Sequence, residues 1–303
     1  LGESRDRNDK QIIEQNMYIS GTMYLSMDSL IIYEHHKQQI HSIYSSRLKV
    51  QILLTLLHNN ASLSQLRGVT GSTSQALIPK IRNLEKQGLI QAMNYEYCLT
   101  PLGRVVAMNV EGFVQLVGGI DQHHTFFADH DLSDLPVSFL SRIGNLYNSE
   151  PKQDTTTDMF YVYSHYLEIL KDAAYIHGIS SVASPGLARF IAEKVVTGIS
   201  VELVVNNEVV GLFTKEPYAS NIQGLTEYPN FSVWVTDDNL RVGLTVTDKY
   251  LSLGLFKKDT NLYDSSSDLF SNDPRAVEWG ENLFRYYKER STQLDLAALF
   301  EAK

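Results

Sequence analysis

The stretch Gly71–Thr100, GSTSQALIPKIRNLEKQGLIQAMNYEYCLT, decides the fold of the N-terminal half. Leu77, Ile81 and Leu84 recur at helical spacing and form one apolar stripe, while Gln75, Arg82 and Lys86 fall on the opposite side. Gly88 supplies a stop. The runs Leu89 to Met93 and Tyr97 to Leu99 then pair across Asn94, Tyr95 and Glu96 as a small hairpin.

Working upstream, Ser46 caps a helix through Leu57 whose apolar face carries Val50, Leu53, Leu54 and Leu57. A shorter helix begins at Ser62, where Ser62-x-x-Gln65 is a capping box, and stops near Gly71. Downstream, Thr100-Pro101 reads as the N-cap and first residue of a further helix. Three helices, a hairpin and a fourth helix in this order predict a winged helix-turn-helix, with Gly71–Lys86 carrying the recognition helix and the hairpin as its wing.

Charge is distributed to match. The chain of 303 residues has a formal charge of −9, but residues 46–108 carry +5, residues 109–303 carry −12 and residues 1–45 carry −2. A basic segment in front of an acidic body is turned toward phosphate, and the body resists indiscriminate binding. No apolar run approaches the roughly 18 residues of a membrane span, and the LGESRDRNDK start is too polar for a signal peptide, so the expectation is a cytoplasmic protein with no membrane partner. The single cysteine, Cys98, reads as a small semi-buried apolar residue. His35, His36 and His41 do not share one helical face, and neither a metal site nor a cofactor is expected.

Residues 1–20 read as a polar arm, and the apolar positions between Tyr24 and Tyr44 predict a helix, so that 1–45 precedes the DNA-binding unit at 46–110. The helix from Pro101 carries Leu102, Val105, Val106, Val110, Phe113, Val114 and Val117, a face too wide for a lone surface helix, and ends at Gly118-Gly119. Both helices point to a homodimer. Residues 111–150 then form a helical connector in which Asp134 caps a helix bearing Phe139, Leu140, Ile143 and Leu146, and NSEPKQDTTT is a linker. The remainder, 151–303, alternates: a helix over Asp158 to Tyr175, the strand ISSVAS, a helix from Leu187 to Val196 and the strand ISVELVV. FSVWV, NLRVGLTVT and KYLSLGLF follow as strands, with a last helix from Pro274 to Arg290. The architecture expected is an α+β head, a helical connector and a mixed-sheet α/β body with a sensing role.

Three segments carry a family resemblance: Ser74 to Ile81, Leu132 to Ile143 with its Leu135-Pro136 and Arg142-Ile143, and Ala276-Val277-Glu278-Trp279-Gly280 with Leu283-Phe284, Tyr287 and Ser291-Thr292. Over residues 46–292 the chain resembles archaeal winged-helix regulators of the methanogenesis-regulatory type. The resemblance implies a DNA-binding transcriptional regulator with a C-terminal domain that takes a signal. The C-terminal half also resembles, faintly, a phospholipase D half-domain, whose hydrolases use His-x-Lys-x4-Asp. Asp248 aligns with the motif's Asp, but Arg241 stands in place of the nucleophilic His and Gly243 in place of Lys, so no phosphodiesterase chemistry is expected. The other alternative is a winged helix that binds protein as an adaptor.

Within the recognition helix, Thr73 and Ser74 lie near the exposed start, in reach of phosphate or a base edge, and Arg82 and Lys86 are expected on phosphate. Gln75 has two roles open to it: reading adenine, or closing a capping box from Ser72. Arg47, Lys49 and Arg67 read singly as solvated face. Pro79 should kink the helix. In the body, a strand ending at Ser181 and Ser184 before Pro185-Gly186 places free helix N–H groups beside two hydroxyls, suited to a small anionic metabolite. Tyr218, Tyr228 and Trp234 are expected to supply its apolar wall, against the alternative that Ser184 caps the helix and the aromatics fill the core.

Overall fold

The computed structural model describes residues 24–301, with side chains from residue 29, and the polar arm read at residues 1–20 lies outside the described residues. The chain divides into two compact units, Leu1–Glu111 and Gly112–Lys303.

In the first unit, helices α1 (Tyr24–Tyr44), α2 (Arg47–His58), α3 (Leu63–Thr70) and α4 (Ser74–Lys86) precede strands β1 (Ile90–Met93) and β2 (Glu96–Leu99). The Ser62 capping box forms in both directions, with Gln65 N donating to Ser62 Oγ at 3.3 Å and Ser62 N donating to Gln65 Oε1 at 2.7 Å. Gly71 and Gly88 adopt left-handed φ of 62° and 71°, which a side chain would oppose. The hairpin register pairs Ile90 with Leu99 and Met93 with Glu96, leaving the two-residue turn Asn94-Tyr95, both at positive φ. Ala61, between α2 and α3, bridges Tyr97 with two backbone hydrogen bonds of 3.1 and 2.8 Å and ties the hairpin to the helices. The core of this unit is Ile52, Leu53, Leu56, Leu66, Leu77, Ile81, Leu84, Leu89 and Ile90. The buried stripe of α2 is therefore Lys49, Ile52, Leu53 and Leu56, rotated from the expected one: Val50, Leu54 and Leu57 sit at its flanks.

Helix α5 (Pro101–Gln122) opens as expected, with Gly103 N donating to Thr100 Oγ1 at 2.9 Å. It does not stop at Gly118-Gly119. Those glycines serve close packing: a Cβ at Gly119 would meet Gly144 Cα at 3.0 Å, and one at Gly118 the Tyr147 ring at 3.2 Å.

In the second unit a nine-stranded mixed sheet has the order β11-β7-β6-β5-β8-β9-β10-β4, with the short β3 (His130–Asp131) pairing β9. Strands β5 (Tyr175–Ser180), β6 (Ser200–Asn206) and β7 (Phe231–Thr236) run parallel. Antiparallel β8 (Val242–Val246), β9 (Leu251–Lys257), β10 (Tyr263–Ser271) and β4 (Glu150–Gln153) extend the other side of β5, and β11 (Thr292–Gln293) pairs antiparallel with β7. Side chains alternate between two buried faces. One face, with Ile179, Val204, Leu244, Val246, Leu253 and Leu269, packs against Ala276, Trp279, Leu283 and Phe284 of helix Pro274–Lys288, which is not the last helix, since Leu296–Glu301 follows it. The other, with Ile176, Val201, Val205, Val233 and Phe270, packs against helices Tyr161–Leu170, Pro185–Val196 and Asn207–Phe213.

Three boundaries differ from the sequence reading. The connector expected at residues 111–150 joins the second unit from Gly112 on: Phe126, Phe127, Leu135, Phe139, Ile143 and Leu146 belong to the first face's core, and Trp279 Nε1 donates to Phe139 O at 3.2 Å. Asp134 caps no helix there; it accepts from Asn239 Nδ2 at 3.0 Å. The polar linker NSEPKQDTTT holds edge strand β4, where Pro151 is tolerated because only one side pairs. The helix read over Asp158 to Tyr175 is shorter, Tyr161–Leu170, and the first parallel strand is Tyr175–Ser180, upstream of ISSVAS.

Candidate functional site

Helix α4 starts at N-cap Thr73, whose Oγ1 accepts from Ala76 N at 3.3 Å. The box from Ser72 does not form, and Gln75 is exposed on the first turn. Thr73 is committed to the cap and Ser74 is half-buried beside it. Arg82 and Lys86 are exposed and, with Gln75, make no side-chain hydrogen bond or ion pair among the described residues. The three lie on the side of α4 away from Leu77, Ile81 and Leu84. Pro79 does not interrupt the helix, which runs through to Lys86.

The cations of α2 do other work. Lys49 is buried, and its Nζ donates to Ser42 Oγ at 2.5 Å and Asn83 Oδ1 at 2.6 Å, joining α1, α2 and α4. Burial, then the nearby Lys80 charge, lowers its pKa. Arg47 donates to Thr70 O at 3.2 Å. Neither residue is plain solvated face. At the hairpin tip, Tyr95 is fully exposed at φ 66°, a conformation unfavourable for a residue with a Cβ. The sequence reading placed no role on Tyr95, although Asn94-Tyr95 between two alternating runs is a two-residue turn signal.

In the body, the sequence-predicted residues are only partly brought together. Tyr218 OH donates to Ala183 O at 3.3 Å, which places it at the loop that carries Ser181 and Ser184. Ser184 is the N-cap of Pro185–Val196 but its hydroxyl makes no cap bond, and the Ser181 Oγ is buried without a partner. A Cβ at Gly186 would fall 2.6 Å from Tyr163 OH, the far end of a partly exposed side chain. Tyr228 packs with the second face's core, whereas Trp234 lies on the first face, beneath Lys288 Nζ at 4.9 Å from its ring. Trp234 therefore cannot share a wall with Tyr218 and Tyr228. Its place one residue beyond Val233 on a two-residue repeat turns it through the sheet.

The positions aligned with the phosphodiesterase motif are also separated. Arg241 sits 3.1 Å from Asp134 and 3.4 Å from Asp131, at ion-pair distance but without hydrogen-bond alignment, and stacks on Phe256 at 4.8 Å. Asp248, beyond the far end of β8, accepts from Ala174 N at 2.9 Å. The Tyr263 hydroxyl occupies the space a side chain at Gly243 would need. The same hydroxyl covers Gly254 beside a buried carboxyl, Asp268, which accepts from Ser252 Oγ at 2.9 Å through Oδ2 while Oδ1 has no partner. Burial pushes the Asp268 pKa up to about 7, and the Asp264 and Asp154 charges add to the rise. Nothing in the polar run YDSSSDLFS marks this cluster, because no apolar alternation reveals the strand.

Two family descriptions match the chain: the N-terminal domain of the methanogenesis regulatory protein FilR1 over residues 37–118, and the middle domain of the same protein over residues 159–290. Between them they take in well over half of the sequence. The methanogenesis regulatory protein FilR1 of Methanothrix harundinacea (strain 6Ac) is 26% identical over 254 residues, covering 83% of this chain and 57% of the relative. The chain thus spans a little over half the length of that curated relative. Among solved structures, TrmBL2, an archaeal chromatin protein, aligns at 13% identity over 80% of this chain and 91% of its own, with a TM-score of 0.39. The methyltransferase CalO1 aligns at 16% identity over 70% and 66%, with a TM-score of 0.24. Both scores are too low to bear on fold or activity.

Proposed function

We propose, from the premise that this chain belongs to the family of the methanogenesis regulatory protein FilR1, that it is a transcriptional regulator that binds double-stranded DNA. The first unit is read as a winged helix-turn-helix whose helix α4 enters the major groove. The observation that carries this is the outward side of α4: Gln75, Arg82 and Lys86 stand exposed and uncommitted, in the segment of net charge +5. Gln75, in the first turn, is placed for a base edge and Arg82 and Lys86 for phosphate, while Thr73, whose hydroxyl accepts in the cap, keeps its hydrogen to donate to the DNA backbone, with half-buried Ser74 beside it. A mobility-shift titration against duplex fragments of the chain's own upstream region at low salt tests the reading. Retarded complexes are expected; a protein that ignores every fragment refutes it.

The regulator is proposed to act as a homodimer. Leu102, Val105, Val117 and Ile120 are exposed along one side of α5, a helix of 22 residues, and a second copy is the surface that would cover them. Light scattering should give twice the 34.3 kDa chain mass, and Val105→Glu with Val117→Glu should return a monomer. A wild-type monomer at micromolar concentration contradicts the proposal.

The body is proposed to sense a small anionic metabolite at the start of helix Pro185–Val196. Support comes from the uncommitted Ser184 hydroxyl, the unpartnered Ser181 Oγ and the tether from Tyr218. Inorganic phosphate is the first probe: it should raise the thermal midpoint of the wild type, and Ser184→Asp should remove that rise. Equal rises in both proteins put the site elsewhere.

A further inference from the structure

We propose that the outward stripe of α4 reads an A·T-bearing half-site, with Pro79 as the residue that recognises thymine through its 5-methyl group. The inference rests on the DNA-binding reading above and names the sequence class that the same surface would select.

At 100° per residue, Gln75, Pro79, Arg82 and Lys86, spaced four, three and four apart, fall on one line opposite Leu77, Ile81 and Leu84. All four are exposed. Pro79 is therefore in the middle of the surface that would face DNA, between the residue suited to a base and the two suited to phosphate. A proline inside a helix is about 3 kcal/mol less favourable than alanine, and here exposure leaves no core contact to offset that. Its side chain offers neither donor nor acceptor, and the amide hydrogen is absent. Against a guanine or cytosine edge such a ring would strand polar groups without partners. The one apolar feature on a major-groove base edge is the thymine methyl.

Gln75 complements this choice, because its amide matches adenine N6 and N7. From Gln75 to Pro79 the helix rises about 6 Å at 1.5 Å per residue. That corresponds to roughly two base-pair steps of ~3.4 Å. Adenine and thymine are accordingly expected within about two base pairs of each other.

The test uses the full chain. Duplexes are selected from a random pool, each thymine of the winning half-site is replaced by deoxyuridine, and affinities are compared for the wild type, Pro79→Gly and Pro79→Val. Both variants relieve the helix of proline, so folding is retained. One deoxyuridine position should weaken the wild type by about fourfold, the equivalent of ~0.8 kcal/mol for one buried methyl. Pro79→Gly should be indifferent at that position, and Pro79→Val should recover part of the discrimination. If no thymine position distinguishes the wild type from Pro79→Gly, the inference is wrong while DNA binding stands. A pool that yields no enriched duplex removes the DNA-binding reading and the inference with it.

Discussion

Replacing Arg82 and Lys86 together by Ala is expected to weaken binding to every duplex sequence alike and to flatten its salt dependence. Both side chains are exposed on the outer side of α4, two turns or more beyond its first residues, so backbone rather than base edges is the contact expected of them. Each phosphate neutralised contributes about 0.9 to the slope of log affinity against log salt. Losing two contacts per protomer removes about 1.8 from that slope, which at ~0.1 M salt amounts to an affinity loss on the order of 50-fold per protomer. Folding should be untouched, since neither residue packs in the core or holds another element. Lys49→Ala provides the contrast: it leaves the outward stripe in place and removes the clamp on Ser42 and Asn83, so the loss should appear in stability. Fluorescence anisotropy over a salt series, alongside urea unfolding, separates the two. A double variant that binds with the wild-type slope would place the DNA surface elsewhere.

The second large effect concerns Asp268. Its pKa is about 7 in the folded chain against an ordinary value of 3.8, so the folded state holds the proton more tightly than the unfolded state. The sign follows: the contribution of this group is fully present below about pH 4 and is lost as pH rises through about 7. A shift of that size corresponds to about 4 kcal/mol between the two limits, at 1.36 kcal/mol per unit. Asp268→Asn keeps an acceptor for Ser252 Oγ and carries no charge, so it should unfold at higher urea concentration than the wild type at pH 8 and show little difference at pH 4. Parallel pH dependences in the two proteins would mean that Asp268 is ionised at little cost, with an unseen donor at Oδ1.

The contrast between these two sites shows what a sequence exposes. In the first unit, short-range signals suffice: the Ser62 box, the stops at Gly71 and Gly88 and the stripe Leu77, Ile81, Leu84 each depend on residues within a turn or two, and the structure places them accordingly. Gln75 was ambiguous because Ser72 and Thr73 both can cap, and only geometry chooses Thr73. In the body, partners are remote in sequence. Asp268 meets Ser252, and Gly243 lies under Tyr263, contacts that no local pattern encodes; the Lys49–Asn83 bond of the first unit is of the same kind. The same remoteness hid β4 and β10, whose polar residues are strand only because β9 and β10 pair with them. Gly118-Gly119 has the form of a helix stop, yet the helix runs through both glycines, which pack closely against Tyr147 and Gly144. Trp234 looked like a neighbour of Tyr228 until the two-residue repeat of β7 put it on the opposite face.

The central claim is that this chain is held to duplex DNA by the outward surface of α4. Its most direct test is the affinity of the unmodified full chain for a duplex selected from a random pool, measured between roughly 50 and 200 mM salt. Log affinity should fall linearly with log salt, with a slope at least as steep as about −1.8 per protomer from Arg82 and Lys86. Binding that is indifferent to salt, or no binding at the lowest salt, would contradict it.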